Sequence, residues 1–404
     1  MDLYRRIHQV KWLLIFFTFS NTCLGYQKQL EYSDLLTHTS YFNIKEGLQG
    51  EGAELLKSEI GQSQFILFGE LHNSRQSALF FNELIKEAAK HDYNKFIAEV
   101  GQQTAKILME ISDQPDLTKE RLKQLYQKYG SKNNRYPIPF FKGEEDADFL
   151  MTARNLGYDL WGIDQEFALA FPMLFDELAS LYLGENDQMF KAYLDDAKKA
   201  WGKISEKSRS CQSLNNAAIN SFFQLFQDTN LQAQQLVSDI RKSWEIYCYY
   251  ESGDHKSNNS SRIAYMKENL QKHLEESKEN GNYPKALIKM GSYHTTKVKS
   301  PIGYEDIGHW IDSLSSQTGS KSLHIRYMRR YWLGKDKLNA KDYASVQLFM
   351  SVGKSDQWAL IDLRPIREKL RSGEIKAKQP EINEIFNHDI MLIAPMDRWV
   401  KNNF

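Results

Sequence analysis

Short runs of almost continuously apolar residues, separated by stretches with helical spacing, constrain the fold of this chain more than any other feature. They read FILFGE at 65–70, FIAEVG at 96–101, LWGID at 160–164 and ALIKMG at 286–291. Successive apolar residues point to both faces of a strand, so helices must cover both faces, which is typical of a parallel sheet. The pattern therefore predicts an α/β fold with a mostly parallel β-sheet flanked by helices.

Later parts of the chain extend this sheet and interrupt it once. Apolar runs at 322–328, 358–363 and 390–396 raise the predicted sheet to six or more strands. From 171 to 281 the pattern changes to long helical segments with no strand candidate. A structureless stretch of this length would be unusual in a compact domain. We therefore predict a large α-helical insertion at about 171–281 that caps the carboxyl ends of the strands.

The first residues have the layout of a secretory signal. Basic residues precede an apolar stretch at 12–19, and the small residues Cys23 and Gly25 follow it. The apolar stretch is shorter than the roughly 20 residues of a membrane-spanning helix. The sequence thus predicts a cleaved signal peptide at 1–25, a secreted or periplasmic protein without a transmembrane span, and one mature domain at 26–404. In the alternative, Cys23 is the N-terminus of a lipoprotein, but SNTC lacks the leucine of a typical lipobox.

The charge balance indicates what kind of partner to expect. The chain carries 52 Lys and Arg residues against 52 Asp and Glu residues, and 41% of it is hydrophobic. Such a chain can bury a large core, and it has no overall field that attracts nucleic acid or an anionic membrane. The expected partner is a small-molecule or peptide substrate, and no nucleic acid.

Two cysteines remain once the predicted signal is removed. Cys211 and Cys248 could form a disulfide in an oxidising compartment. They could equally be two buried free thiols, because spacing in the sequence does not establish the geometry of a bridge.

Titratable residues follow each of the first four predicted strands. In an open parallel sheet, ligands bind outside the carboxyl ends of the strands. Where the chain stays extended, residues i and i+2 point the same way. The residues at these ends are Glu70 and His72, Glu99, Asp164 and Glu166, and His294. We therefore expect them to share one crevice, with Gly69 and Gly291 allowing close approach of a ligand or a neighbouring strand.

This set of side chains suits the activation of water. His72 would act as general base, Glu70 would orient it, and His294 would donate a proton or stabilise an oxyanion. The same residues, together with Glu99, could instead bind divalent Zn or Mn. His-Glu-x-x-His, Gly-x-Ser-x-Gly and P-loop motifs are absent from the sequence.

The motifs together resemble a known superfamily. FGELHN, IAEVG, GIDQE and KMGSYH are similar to the motifs of the erythromycin-esterase-like and ChaN-like superfamily, which also holds the Tiki/TraB-type metalloproteases. SSRIAYMKENL is similar to the Arg-x-x-x-Met-x-x-Asn helix of the esterases. On a helix, Arg262, Met266 and Asn269 share one face.

The resemblance implies roles for individual residues. His72 matches the general base of the esterases, Glu70 its neighbour, and His294 the second motif histidine. Glu99 matches the carboxylate of the second strand. The residues expected to bind substrate are Asp164, Glu166, Arg262, Asn269 and, at the start of the first crevice helix, Arg75.

The sequence also departs from the esterase pattern. The esterases read Gly-Glu-x-x-His-Gly, whereas this chain has one spacer fewer and Asn73 after the histidine. That form is closer to the ChaN-like branch, for which the resemblance implies iron or haem binding. The expected function is hydrolysis of an ester or amide-type bond. The alternatives are an iron- or haem-binding surface protein and a metal-dependent protease that uses Mn or Zn.

Overall fold

The computed structural model describes residues 28–130, 136–184, 187–228 and 230–404. The predicted signal at 1–25, including Cys23, lies outside these residues.

The centre of the fold is an eight-stranded sheet with the order β2-β10-β12-β7-β3-β6-β4-β5. The strands of the described residues are β1 (Lys28–Gln29), β2 (Thr39–Phe42), β3 (Phe65–Glu70), β4 (Lys95–Gly101), β5 (Asp159–Asp164), β6 (Ala286–Gly291), β7 (Ser322–Arg329), β8 (Tyr331–Trp332), β9 (Lys335–Asp336), β10 (Trp358–Asp362), β11 (Ile375–Lys376) and β12 (Ile390–Ala394). Neighbours from β12 to β5 pair in parallel, whereas β10 is antiparallel to both β12 and β2. The predicted α/β fold is therefore confirmed. All seven predicted strands are present, and the short edge strand β2 was missed because its sequence, TSYF, is not an apolar run.

Helices cover both faces of the sheet. They are α1 (Tyr32–Thr37), α2 (Glu51–Gln62), α3 (Arg75–Ala89), α4 (Gln102–Ile111), α5 (Thr118–Tyr129), α6 (Glu144–Asn155), α7 (Phe171–Ser180), α8 (Asp187–Lys203), α9 (Arg209–Leu214), α10 (Ala217–Gln224), α11 (Leu231–Glu251), α12 (His255–Glu276), α13 (Ile307–Gln317), α14 (Gln347–Met350), α15 (Leu363–Arg371) and α16 (Gln379–Asn387), with 3-10 turns at Pro115–Leu117, Glu206–Ser208 and Lys341–Tyr343. None of the helices in the described ranges is long and apolar enough to cross a membrane.

Successive side chains of β3 point to opposite faces of the sheet, and both faces are buried. Ile66 and Phe68 point into a core shared with α2, α3 and α6, whereas Phe65 and Leu67 point into a core shared with α12 and α13. All four side chains are fully buried. Burial of each such side chain contributes roughly 1.5–3 kcal/mol, so the two apolar cores fix the sheet between its helices.

Helices α7 to α12 occupy the segment in which the sequence predicts a helical insertion. Helix α12 contacts the sheet, and its Met266 and Leu270 share one apolar core with Ile97 and Ile288 on one sheet face. Arg262, nearer the beginning of α12, reaches the carboxyl ends of the strands.

A disulfide joins Cys211 of α9 to Cys248 of α11. The sequence left open whether these cysteines form a disulfide or remain free thiols, and the structure shows the disulfide.

Replacing both cysteines by serine should lower the free energy of unfolding by about 4 kcal/mol, because the unfolded chain loses a loop constraint across 37 residues. Urea unfolding measures the loss. Reductant should lower the free energy of unfolding of the wild type by the same amount and leave that of the variant unchanged. Equal stability of the oxidised wild type and the variant would contradict the prediction.

Candidate active site

The two Gly-x-x-His motifs meet because β3 and β6 are hydrogen-bonded neighbours, with Glu70 in register with Gly291. Each glycine makes room for the turn that follows the other strand. A Cβ on Gly291 would lie 2.8 Å from His72 Nε2, and a Cβ on Gly69 would lie 3.0 Å from Ser292 Cα. Both distances are shorter than normal contacts. The glycines therefore bring the two histidine loops together at one edge of the sheet.

Glu70 is the partner that orients His72. Its carboxylate oxygen Oε1 lies 3.0 Å from His72 Nδ1. The other oxygen pairs with Lys289 Nζ at 2.6 Å and accepts a hydrogen bond from Ser77 Oγ at 3.2 Å. Burial alone would raise the pKa of Glu70, but the charge of Lys289 and the contact with His72 lower it to about 2. Glu70 is thus ionised at neutral pH and accepts the Nδ1 proton of His72, leaving Nε2 towards the pocket.

Phe140 holds the other side of the His72 ring. The two rings stack with centroids 4.0 Å apart and an angle of 16° between their planes. Phe140 has a φ of 64°, a left-handed conformation that bulky residues rarely adopt. The stack and the Glu70 contact together fix the ring orientation of His72.

Glu99 lies between the two histidines. Its carboxylate accepts hydrogen bonds from the backbone N–H of Gly291 at 2.6 Å and from Arg262 Nη2 at 2.8 Å. His294 Nε2 lies 3.4 Å from Oε1, and His72 Nε2 lies 3.8 Å from Oε2. Burial raises the pKa of Glu99, but the surrounding positive charges, His294 foremost, lower it well below its usual value. An ionised carboxylate is therefore held at the centre of the site.

His294 is held in its charged form from both sides. Its Nδ1 lies 2.8 Å from Asp306 Oδ2, and Asp306 is itself fixed because Oδ1 accepts the N–H of Ile307 at the start of α13. Burial lowers the pKa of His294, but Glu99 and Asp306 raise it to about 10. At neutral pH, His294 is an imidazolium that can donate a proton or a hydrogen bond.

Arg262 connects the site to β5. It donates from Nε to Asp164 Oδ1 at 2.9 Å and from Nη2 to Glu99. Two carboxylates thus fix its guanidinium, so Arg262 balances the charge of Glu99.

These side chains line a pocket of about 690 Å³. Its walls include Glu70, His72, Glu99, Arg262 and His294, and it extends over Tyr293 towards Arg326 and Glu384. A second pocket of about 430 Å³ shares Glu99 and Arg262 and is lined by Phe140, Asp164, Phe167 and Tyr247. The ordinary volume of a small-ligand site is about 300–1,000 Å³, so the larger pocket can hold a small molecule.

Three residues expected to bind substrate lie away from both of these pockets. Glu166 turns to the start of α4 and accepts a hydrogen bond from the backbone N–H of Gln103 at 2.7 Å. Asn269 donates to the backbone oxygen of Ile163 at 2.9 Å. Arg75 pairs with Glu145 at 2.7 Å. The contacts of these residues hold structural elements together, so the structure does not bring them to the candidate site.

Several residues of the site were not selected from the sequence, among them Lys289, Asp306 and Phe140. Lys289 is buried under Glu70, and the signal that could have revealed it is a lysine in the apolar run ALIKMG. Asp306 precedes α13 and contacts His294. No sequence signal distinguishes Asp306 from an ordinary helix cap.

The suggested metal ligands do not form a metal centre. Among the described residues, no group of three or more His, Cys, Asp or Glu side chains is placed to hold a metal ion. Donor atoms that would bind one are engaged elsewhere, since Glu70 pairs with Lys289 and Glu99 with Arg262. Each of these two carboxylates thus has a cation of the protein as its partner.

The fold is similar to that of an erythromycin esterase. A variant of erythromycin esterase EreC in its open conformation superimposes with a TM-score of 0.53 and 13% identity, over 89% of this chain and 98% of that one. A protein from Bacillus cereus superimposes with a TM-score of 0.55 and 13% identity, over 92% and 98% of the two chains. A succinoglycan biosynthesis protein gives a TM-score of 0.55 and 13% identity, over 92% and 97%. The predicted resemblance is thus confirmed for the fold.

Comparison of sequences adds no further relative. No protein-family model and no curated protein sequence matches the chain.

Proposed function

We propose that this protein is a hydrolase that cleaves an ester or amide-type bond with water activated by His72. The observation that carries the proposal is the Glu70–His72 pair facing the pocket, with the imidazolium of His294 on the other side of Glu99. One histidine has a free ring nitrogen, and the other carries a proton, so a base and an acid face the same space.

His72 acts first. A water molecule bound at Nε2 loses a proton to His72 as it attacks the carbonyl carbon, and the resulting imidazolium is stabilised by ionised Glu70 through Nδ1. Lys289 keeps Glu70 ionised and Phe140 keeps the ring in place. These contacts mean that little reorganisation accompanies the proton transfer.

His294 acts on the charge that develops on the substrate. As an imidazolium it stabilises the oxyanion and then protonates the leaving oxygen or nitrogen. Asp306 and Glu99 favour the charged form of His294 and define its position. Collapse of the tetrahedral intermediate then releases the acid and the alcohol or amine.

Hydrolysis of p-nitrophenyl esters and of a mixed peptide library, with and without EDTA, tests the proposal. We expect ester or amide turnover that survives exhaustive chelation. Turnover that is lost with EDTA and restored by Mn or Zn would support the metal-dependent protease instead. A Soret band with added haem and no turnover would support the haem-binding protein.

The pH dependence should report the two histidines. Burial lowers the pKa of His72, but the hydrogen bond to Glu70 and the charge of Glu99 raise it above the ordinary value of 6.5. The base works only when deprotonated, and His294 works only below its pKa of about 10. We expect kcat/KM to rise with pH through an apparent pKa above 6.5 and to fall above about pH 10. A profile that declines through neutrality, after correction for uncatalysed hydrolysis, would contradict the assignment of the base.

We also propose that the protein is secreted or periplasmic. The disulfide supports this location, because such bridges persist in oxidising compartments. Cell fractionation and N-terminal sequencing of the mature protein test it, with Tyr26 expected as the first residue.

A further inference from the structure

Arg326 is a buried guanidinium with an unusual lack of partners. It lies near the carboxyl end of β7, is 8% exposed, and makes no side-chain hydrogen bond to the described part of the chain. Among the described residues, its one ion pair is with Glu384, whose Oε2 lies 3.5 Å from Arg326 Nε. Buried charges are normally paired by several hydrogen bonds. The donors of Arg326 are therefore available to a ligand.

The surroundings of Arg326 direct those donors into the candidate active site. Arg326 lines the 690 Å³ pocket that also holds His72 and His294, and it lines an adjoining pocket of about 190 Å³ with Glu384 and Asn383. Arg262 at the same pocket differs, because its guanidinium is bound by two carboxylates. Of these two arginines, Arg326 is the one whose guanidinium is not already held by two carboxylates.

Glu384 positions Arg326 and limits what it can bind. Burial raises the pKa of Glu384, but Arg326 and His388 lower it to about 2, so it is ionised at neutral pH. Paired to Nε, it leaves the two terminal nitrogens of Arg326 for two acceptor oxygens in one plane. The negative charge of Glu384 repels a doubly charged ligand such as phosphate more strongly than a singly charged carboxylate. A carboxylate is therefore the better ligand for Arg326.

We propose that Arg326 binds a carboxylate of the substrate and thereby selects esters or amides that carry an acidic group remote from the cleaved bond. This inference rests on the proposed hydrolase function. The strand order sets the distance between the bound carboxylate and the reacting carbonyl. Arg326 is on β7, which lies two strands from β6, the strand that leads to His294. β7 is also the direct neighbour of β3, which leads to His72. With about 4.8 Å between strands, the carboxylate therefore lies roughly 5–10 Å from the reacting carbonyl, a separation that a six-carbon diacid can span.

Matched esters test this selection. p-Nitrophenyl hexanoate and the mono-p-nitrophenyl ester of adipic acid have acyl chains of similar length and differ in a terminal methyl or carboxylate. In the wild type we expect kcat/KM about 10- to 100-fold higher for the acidic ester. Arg326→Gln should bring the ratio close to one, and Arg326→Lys should retain part of it. A wild-type ratio of one or less, or an unchanged ratio in Arg326→Gln, would overturn the proposal.

The control is an arginine on the surface. Arg371 pairs with Glu368 on α15 and is 56% exposed in its side chain, so Arg371→Gln should leave the ratio unchanged. Circular dichroism and thermal melting should show that Arg326→Gln is folded, and its loss of kcat/KM should be larger for the acidic ester than for the neutral one. An equal fall in kcat/KM on both esters would indicate that Arg326 has a structural role and would overturn its assignment to carboxylate binding.

Calorimetric titration with adipate separates the subsite from the proposed activity. If the wild type hydrolyses neither ester, the hydrolase proposal fails. Saturable adipate binding by the wild type and His72→Ala, but not by Arg326→Gln, would still support the carboxylate subsite. Absence of binding to the wild type, or tighter binding of inorganic phosphate than of adipate, would overturn it.

Discussion

Replacing His72 by alanine should lower kcat/KM on an activated ester by about 100- to 10,000-fold, the usual contribution of a general base. The reason is geometric: Glu70 fixes the Nδ1 proton, so Nε2 is the atom that takes a proton from water. Initial rates with p-nitrophenyl acetate measure the loss. Added imidazole should restore part of the activity, which would not happen if the variant were merely misfolded.

A second histidine provides the matched control. His255 begins α12 and is exposed, with a ring contact to Tyr250. His255→Ala should retain full activity. Undiminished activity in His72→Ala, or equal losses in both variants, would show that His72 is not the base.

Replacing Lys289 by methionine should lower the free energy of unfolding by about 3–5 kcal/mol, because it leaves a buried carboxylate without its charge partner. Lys289 and Glu70 are each 5% exposed in their side chains, and their charged atoms are 2.6 Å apart. Lys289 Nζ lies 5.9 Å from the ring centre of Phe81 and 5.2 Å from that of Phe149, and methionine is an unbranched apolar side chain that adapts to such surroundings. Urea unfolding at pH 7 measures the change.

The double variant distinguishes loss of charge pairing from loss of packing. Lys289→Met combined with Glu70→Gln removes both charges, so it should be more stable than Lys289→Met alone. Lys278→Met, which removes an exposed partner of Glu275, should leave the unfolding midpoint nearly unchanged. A double variant less stable than the single one would mean that Lys289 acts through packing.

The positions of individual site residues show where sequence reasoning succeeds. Glu70 and His72 were expected as a pair, and they contact each other at 3.0 Å. The same argument applied to Asp164 and Glu166 places only Asp164 at the site. β5 ends at Asp164, so the chain no longer alternates as a strand, and Glu166 turns back to bind Thr104 through its Oγ1 at 2.6 Å.

The sequence by itself determined the seven predicted strands of the sheet and the residues at their ends, because continuous burial on both faces requires apolar residues at consecutive positions. Only the tertiary structure decided that β6 inserts between β3 and β4. That order depends on pairing between segments about 190 to 220 residues apart in the sequence, and on how the covering helices pack, which no local pattern encodes. It places Glu99 between His72 and His294, and it sets Lys289 beneath Glu70. Glu70, His72, Glu99, Asp164 and His294 are thus readable from strand ends, whereas their charge pairing follows from the order of the strands.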